Sequence, residues 1–351
     1  MSLLDFSQED HDRAARYHRP LYAAAAIRLL IVVAVFGAFT RLSLGGLGRF
    51  GAAAVWPVIV LAGVGVACLP LDLWRGLVRE RRFGLSTQTL RGWLADWAKG
   101  EAIELVLAAG VWVAAVGLAR AFPRWWPLPA AAALALFVLL MSFVAPVVLE
   151  PLFNRFRPLE DERLVGELRA LAERAGVPVR DVLVADASRR TTRTNAYVSG
   201  LGPTRRVVVW DTLLADASEP ELKLIVAHEL GHRRDRHVLK GTLLGMSGAI
   251  VVVLVLWAVL GSLQPRDFPY AALLVTGTEI AGLPGLSWLS RRWERAADRS
   301  SLELTRDLDA FVGAHVALAR KNLSDLDPPR LAYLMLFTHP TPPERLALAR
   351  A

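Results

Sequence analysis

Two histidines and a glutamate stand close together in the segment Ser218–His237, which reads SEPELKLIVAHELGHRRDRH. His228 and His232 are four residues apart, about one helical turn, so on a helix both imidazoles project from one face. They can hold one metal ion there, with Glu229 beside them. This is the HExxH arrangement, in which zinc activates a water molecule and the glutamate takes its proton. The pattern predicts one Zn2+ per chain, although two histidines on a solvated helix edge would show the same spacing.

A metal site of this kind needs a helix, and the segment carries the signals of one. Ser218 can act as the N-cap, Glu221 completes a capping box, and Pro220 lies in the first turn, where a missing N–H does no harm. Apolar residues dominate the stretch before His228, and the three arginines after His232 suit the negative end of the helix dipole. We therefore expect one helix from Ser218 to His237.

A catalytic zinc ion also needs a third protein ligand. In HExxHxxGxxH enzymes that ligand is a histidine, but Val238 stands at its position here and His237 is out of register. A glutamate on a second helix is the other solution, and Glu294 and Asp298 stand one turn apart in the stretch SRRWERAADRS. Glu294 can bind the metal while Asp298 accepts the N–H of a metal-binding imidazole. Glu279 is a rival ligand, and the same stretch would also suit a helix whose acids pair with its four arginines.

The distribution of apolar residues indicates a membrane protein. Hydrophobic residues make up 54% of the 351 residues. They fall into six blocks that each approach the ~20 residues needed to cross a bilayer core. Buried helices of a large soluble protein would explain one or two such blocks but not six. The blocks are Tyr22–Phe39, Ala52–Leu71, Ala102–Ala121, Leu128–Leu149, Thr242–Leu263 and Ala271–Leu289.

The charge pattern predicts an orientation in that membrane. The net charge is +8, and the arginines flank apolar blocks instead of forming a basic stripe, which favours lipid headgroups over nucleic acid as partners. The N-terminal arm and the loop at residues 72–100 are basic, whereas the loops near 41–49, 120–124 and 266 are short and less basic. The positive-inside rule then places both termini and residues 150–241 in the cytoplasm. The single cysteine, Cys68, excludes an intramolecular disulfide and a cysteine zinc cage.

The remaining polar region, between the fourth and fifth blocks, predicts a small α+β unit. Asp161–Ala175 has the periodicity of an amphipathic helix. Asp181–Ala185, Asn195–Ser199 and Arg206–Trp210 are short and β-rich, separated by SRRTTRT and by GLGPT, so we expect a small antiparallel sheet beside the zinc helix. A unit with this few residues cannot bury a sufficient core alone, so it needs the C-terminal segment and the membrane helices to complete that core.

The predicted fold class is thus a mainly α, multi-pass membrane protein with about six transmembrane helices and a small α+β zinc peptidase unit. Residues 1–150 form a membrane region with four spans, and residues 151–240 form a cytoplasmic α+β unit that contains the HExxH helix. Residues 241–290 form a pair of transmembrane helices, and residues 291–351 form a helical segment that completes the site.

The motifs together resemble a known family. The sequence HELGH at residues 228–232, with Glu294 and Asp298, is similar to the gluzincin pattern of the integral-membrane CAAX prenyl protease type I family. Further stretches agree over most of the chain from about residue 72 onward. They are Phe83–Lys99, Pro151–Leu159, Asn195–Leu214, and His339-Pro340 followed by Glu344-Arg345-Leu346.

The resemblance implies roles for the residues at the matching positions. Zinc would be held by His228, His232 and Glu294, with Glu229 as the general base and His339 as a hydrogen-bond donor to the tetrahedral oxyanion. The resemblance implies that eukaryotic members have seven spans, which enclose a large intramembrane chamber. This sequence has six candidate spans. Without the resemblance, His339 also fits an ordinary loop histidine beside a proline.

The resemblance also implies where a substrate binds. Arg345 would assist in the same pocket, and Asn195, Ala196 and Tyr197 would form an edge strand on which a substrate peptide pairs. Without the resemblance these three residues would read as an ordinary strand. The implied partner is a peptide or protein, and whether it is membrane-associated or lipidated stays open.

Two alternatives remain beside the CAAX-like protease. A quality-control endopeptidase similar to the bacterial heat-shock membrane protease would share the motifs, and the Ala/Arg/Leu-rich composition favours a bacterial cell membrane, where prenylated substrates are not expected. A transporter or lipid-binding scaffold would account for Arg28 and Glu279 within the apolar blocks. Transporters usually show inverted repeats, and none is found.

Overall fold

The computed structural model describes residues 6–42, 52–200 and 202–350. The loop predicted at residues 41–49 lies mostly outside these residues, as does residue 201 of the GLGPT turn. Helices dominate the described chain. In chain order they are α1 (Gln8–Thr40), α2 (Val55–Arg82), α3 (Leu90–Ala121), α4 (Pro127–Phe153), α5 (Glu162–Arg174), α6 (Asp211–Asp216), α7 (Glu219–Arg234), α8 (His237–Leu260), α9 (Phe268–Thr305), α10 (Leu308–Lys321), α11 (Arg330–Leu336) and α12 (Pro342–Ala347).

Six of these helices, α1 to α4, α8 and α9, are long and apolar enough to cross a membrane. They confirm the six predicted spans and the mainly α fold class. The last span is longer than its apolar block, because α9 continues through Pro284 to Thr305. Glu294 and Asp298 therefore belong to the same helix as the sixth span, and that helix carries them to the site. The division of the chain at residues 150, 240 and 290 stays a prediction.

Two polar side chains of the membrane helices, those of Trp112 and Arg28, have partners. The indole N–H of Trp112 donates to the carbonyl of Pro265 at 3.1 Å. Arg28, which had no assigned partner in the sequence, lies 3.2 Å from the carboxylate of Asp72. Such pairing is needed because a bilayer core offers no water to satisfy a polar group.

A four-stranded sheet lies outside the membrane helices, in the order β1 (Phe156–Pro158), β2 (Asp181–Ala185), β4 (Arg206–Trp210) and β3 (Ala196–Ser199). The pairs β1–β2 and β3–β4 are antiparallel, but β2 and β4 run parallel. The prediction of a wholly antiparallel sheet is therefore wrong. The cause is that β3 and β4 form a hairpin while β2 pairs with the opposite side of β4. Strand β1 has only three residues, too few to show an alternating pattern.

The core of this unit joins the sheet to helices from distant parts of the chain. Its fully buried members include Leu168 of α5, Val209 of β4, Leu230 of α7 and Phe311 of α10. The C-terminal segment therefore completes the core, as expected for a unit that is too small to bury enough apolar surface alone. Helix α7 lies at the centre of this packing, and that position fixes the direction of its histidines.

Helix α7 begins as expected and ends early. Glu221 accepts the backbone N–H of Ser218 at 2.9 Å, which closes the capping box. The helix stops at Arg234, and α8 begins at His237 after a two-residue turn, so one continuous helix to His237 is wrong. Arg236 has a φ of 56°, a left-handed conformation that a helix cannot contain.

Gly231, inside the HExxH motif, lies where α7 packs against α9. A Cβ added there would lie 2.9 Å from both Cβ and Oγ of Ser300 and 3.3 Å from Cα of Ala297. Ser300 and Ala297 are fully buried. The absence of a side chain therefore lets the helix with the two histidines approach the helix that carries Glu294.

Gly231→Ala is expected to lower the free energy of unfolding by about 1–3 kcal/mol, because the added methyl group overpacks the contact between the helices. Gly166→Ala is the matched control, since this exposed glycine of α5 would place its Cβ within 4 Å of no other atom. There we expect a gain of about 0.4–1 kcal/mol. Thermal unfolding in detergent measures both, and equal midpoints for the two variants would contradict the close packing.

Candidate active site

Three side chains with metal-binding atoms meet between α7 and α9. They belong to His228, His232 and Glu294, which we call the metal group. The Nε2 atoms of His228 and His232 lie 3.2 Å apart. The carboxylate oxygens of Glu294 lie 3.3 Å from Nε2 of His228 and 3.2 Å from Nε2 of His232. Among the described residues, these form the one group of three His, Cys, Asp or Glu side chains spaced to hold a metal ion. The structure thus brings Glu294, and not the rival Glu279, to the imidazoles.

The proton positions in this group follow from its outer contacts. Nδ1 of His228 lies 2.9 Å from Oδ1 of Asp298, a carboxylate with no exposure to solvent. Because a carboxylate only accepts, Nδ1 carries a proton, and Nε2 is the nitrogen that has a free lone pair when the imidazole is neutral. Oε2 of Glu294 is buried and has no hydrogen-bond partner. In the neutral imidazole, a nitrogen lone pair and a carboxylate oxygen thus face each other at 3.3 Å, an arrangement that a cation, either a proton or a metal ion, stabilises.

The separations also suit a single metal ion. In a tetrahedral site with bonds of about 2.1 Å, neighbouring ligand atoms are about 3.4 Å apart, close to the observed 3.2–3.3 Å. Although burial lowers the pKa of His228, its contacts with the carboxylates of Asp298 and Glu294 raise it to about 9. The two carboxylates therefore favour positive charge at this imidazole. A metal ion competes with the proton for Nε2 of His228.

Asp298 is the centre of a buried network on the Nδ1 side of His228. Nε of Arg345 donates to its Oδ2 at 2.9 Å, and a second nitrogen of Arg345 contacts Oδ1. Nε2 of His315 lies 3.5 Å from the same carboxylate. Arg345 therefore contacts Asp298, the carboxylate that lies on the Nδ1 side of the His228 imidazole. His315 was not predicted, and a lone histidine in the apolar stretch AFVGAHVALA is its only sequence signal.

Glu229 and His339 border the same group. Glu229 is half-buried on α7, and burial raises the pKa of its carboxyl above the ordinary value. A raised pKa suits a group that accepts and returns a proton near neutral pH. Nε2 of His339 lies 3.3 Å from Oε1 of Glu294, and 61% of its side chain is exposed. The C-terminal His339-Pro340 stretch thus reaches the solvent side of the group.

Strand β3 pairs with β4 alone among the described residues and is an edge strand. The carbonyl of Asn195 accepts a hydrogen bond of 3.0 Å from β4, so Asn195 and Tyr197 direct their backbone groups to β4 while Ala196 and Val198 direct theirs outward. Of the three predicted docking residues, Ala196 alone offers its backbone at the free edge. Arg233, four residues after Glu229 on α7, donates to the outward carbonyl of Val198, a contact that the sequence did not predict.

Comparison with known proteins decides the family. Residues 158–351, more than half of the chain, match peptidase family M48. The chain belongs to this family. Residues 5–155 match the CAAX prenyl protease N-terminal region, which is described as having five membrane helices. The described part of those residues has four long helices, α1 to α4. The resemblance to the CAAX prenyl protease type I family is confirmed.

Individual relatives match over most of the chain. The Bacillus subtilis (strain 168) protein named uncharacterized metalloprotease YhfN is 31% identical over 301 residues, covering 79% of this chain and 68% of that protein. CAAX prenyl protease 1 of Saccharomyces cerevisiae is 27% identical over 311 residues, covering 79% and 67%. The crystal structure of S. mikatae Ste24p matches with a TM-score of 0.80 at 23% identity, over 97% of this chain and 89% of that one. That last likeness establishes the fold.

This M48 peptidase is accordingly a metalloprotease and an integral, multi-pass membrane protein. Its family implies a peptide or protein substrate. The family assignment decides against the transporter and scaffold interpretation, and the charged residues within the spans need another explanation. For Arg28 that explanation is its ion pair with Asp72.

Proposed function

We propose that this M48 peptidase is a zinc metalloendopeptidase in which His228, His232 and Glu294 hold one Zn2+ and Glu229 is the general base. The observation that carries the proposal is the convergence of two imidazole Nε2 atoms and an unpartnered carboxylate oxygen between α7 and α9. Two nitrogens and one carboxylate at tetrahedral spacing are typical of catalytic zinc, and they leave a fourth position for water or substrate.

The chemistry divides among the residues around that position. A bound zinc ion would lower the pKa of a water molecule and polarise the scissile carbonyl. Glu229 accepts a proton from the attacking water, which its raised pKa favours, and returns that proton to the leaving amine. His339 donates a hydrogen bond to the carbonyl oxygen as negative charge develops there. Its exposed side chain lies beside Glu294, where it can contact a bound substrate.

Asp298→Asn is expected to weaken zinc affinity by about 10–100-fold, because the outer partner of a metal-binding histidine fixes its tautomer and orientation. The amide also leaves the half-buried guanidinium of Arg345 without its carboxylate. Glu303→Gln is the matched control on the same helix, since its carboxylate is exposed and pairs with Arg234 at 3.2 Å. Competition with a chromophoric chelator measures both affinities. Equal affinities for the two variants would contradict the role of Asp298.

The free edge of β3 is the proposed docking place for the substrate peptide. Ala196 and Val198 turn their backbone groups outward, and a peptide can add to them as a further strand. Both residues are buried, so a docking peptide has to displace the groups that cover them, including the Arg233 guanidinium on Val198. A cavity of about 460 Å³ adjoins this edge at Tyr197 and Arg233 and offers room for a substrate side chain.

Two substrate classes fit this arrangement. The Saccharomyces cerevisiae relative is named a CAAX prenyl protease, which favours trimming of lipidated C-termini. The Bacillus subtilis relative is named only as a metalloprotease, and endoproteolysis of plain membrane proteins is the second candidate. Both activities require the same zinc site. A test of the zinc site therefore does not distinguish the two substrate classes, which need a separate measurement.

Cleavage of matched peptides by the full-length protein in detergent tests the proposal. Farnesylated and plain versions of each peptide are incubated with and without a zinc chelator, and the products are mapped by mass spectrometry. We expect cleavage that chelation abolishes and added zinc restores. Removal of a C-terminal tripeptide from farnesylated peptides alone indicates the CAAX-like activity, and internal cleavage of plain peptides indicates quality control. Cleavage that resists chelation contradicts the zinc mechanism.

We also propose that the protein lies in a bacterial cell membrane with its site on the cytoplasmic side. The Bacillus subtilis relative supports the first part. The basic N-terminal arm and the basic residues at 72–100 support the second, because cytoplasmic segments carry the excess of Lys and Arg. A cysteine introduced by Gly166→Cys in a Cys68→Ser background should react with a membrane-impermeant reagent only after cell lysis. Reaction in intact cells would contradict this orientation.

A further inference from the structure

His237 contacts one of the proposed zinc ligands from the side away from the metal group. Its Nδ1 lies 2.9 Å from Nδ1 of His232. The other ring nitrogen of His232, Nε2, faces His228 and Glu294 at 3.2 Å. His237 is 6% exposed. Neither the HExxH motif nor the family resemblance gave this residue a role.

A break in the helix makes this contact geometrically accessible. On one continuous helix, side chains five residues apart would point about 140° away from each other. Here α7 ends at Arg234, α8 begins at His237, and Arg236 between them adopts the left-handed conformation. That conformation is unfavourable for a residue other than glycine, because it brings Cβ too close to the following carbonyl oxygen. The chain thus holds a strained residue at the turn that directs the His237 ring back to His232.

The plane of the His237 ring is fixed from α9. The imidazole stacks on the indole of Trp293 with ring centres 5.1 Å apart and planes inclined by 12°. Trp293 directly precedes Glu294, the third proposed ligand. The ring that contacts His232 therefore rests on the helix that completes the metal group, which ties its position to the geometry of the site.

The contact between two Nδ1 atoms holds a single proton, and the side on which it lies decides whether His232 can bind a metal ion. If His232 donates, its Nε2 is unprotonated and presents a lone pair to the metal group. If His237 donates, neutral His232 carries its proton on Nε2, which then points at Glu294 and cannot bind a metal ion. Only the first arrangement is compatible with the zinc site.

We propose that His237 is a positioning residue that accepts the Nδ1–H of His232 and so holds the tautomer of that ligand in which Nε2 is free for zinc. The inference rests on the proposed zinc site. The two ligand histidines then have different outer partners, a carboxylate for His228 and a neutral imidazole for His232. Since a single proton can satisfy the contact, His237 itself carries its proton on Nε2.

Two substitutions separate this role from simple packing. His237→Phe keeps an aromatic ring against Trp293 but removes the acceptor. His237→Asn removes the ring but can place an amide oxygen near the former Nδ1 position. Zinc affinity of the full-length protein in detergent, measured by competition with a chelator, should fall by about 10–100-fold in His237→Phe. In His237→Asn it should stay within a few-fold of the parent.

The opposite ranking, with affinity kept in His237→Phe and lost in His237→Asn, would show that the ring only packs and would overturn the proposal. A parent protein that binds no zinc would instead remove the proposed function itself. Should either variant fail to fold, the zinc-loaded parent with 15N-labelled histidines gives an independent readout. We expect His232 protonated at Nδ1 and His237 at Nε2. Protonation of His237 at Nδ1 would overturn the proposal.

Discussion

Glu229→Gln is expected to lower the rate constant for peptide cleavage by about 10²–10⁴-fold while one zinc ion stays bound per chain. The amide keeps the size of the side chain but cannot take a proton from the attacking water. Because Glu229 is not among the three converging ligands, metal binding should be unaffected. Single-turnover cleavage of a peptide found in the substrate panel measures the rate, and atomic absorption measures the zinc.

The control for this variant lies on the same helix. Glu219 of α7 forms ion pairs with Arg163 at 2.6 Å and with Lys223 at 2.7 Å, away from the metal group. Glu219→Gln removes the same charge from α7 and should leave cleavage unchanged. If Glu229→Gln cleaved as fast as Glu219→Gln, the glutamate would not be the general base.

Glu294→Ala is expected to weaken zinc affinity by more than about 100-fold and to abolish cleavage with it. Loss of an outer partner alone typically costs 10–100-fold, and this substitution removes a ligand. It leaves the imidazoles of His228 and His232 without the carboxylate that faces them at 3.2–3.3 Å. Chelator competition measures the affinity, and added zinc should not restore cleavage at concentrations that saturate the parent.

Glu279→Ala is the matched comparison, because Glu279 lies in the apolar half of α9, whereas Glu294 lies beyond that half. It stands fifteen residues before Glu294 on the same helix, a distance of about 22 Å along the axis. We expect its zinc affinity to equal that of the parent. Loss of zinc in Glu279→Ala together with retention in Glu294→Ala would reverse the assignment.

The residues of the proposed metal site could be predicted because their signals are local. The HExxH spacing brings both imidazoles to one face of any helix, and the capping box at Ser218 and Glu221 predicted a helix there. Glu294 and Asp298 were identifiable because a catalytic zinc ion needs a third ligand and these two carboxylates stand one turn apart, and the structure places both against the histidines. The six spans were predictable for a similar reason, since hydropathy is a property of each segment alone.

Features that depend on contacts between distant segments could not be predicted. Whether β2 runs parallel or antiparallel to β4 is decided by which side of the β3–β4 hairpin it joins, and no local pattern records this. Arg345 was placed by resemblance in the substrate pocket, whereas its guanidinium contacts Asp298. His237 was set aside by a register argument that assumed a continuous helix, and the left-handed Arg236 removes that assumption.

The central claim is that one zinc ion lies between α7 and α9, held by two imidazoles and a carboxylate. Diffraction data collected on either side of the zinc absorption edge from crystals of the zinc-loaded protein test it most directly. We predict one anomalous peak per chain at about 2.0–2.2 Å from Nε2 of His228, Nε2 of His232 and a carboxylate oxygen of Glu294. A zinc peak elsewhere in the chain, or one that Glu294 does not contact, would contradict the account.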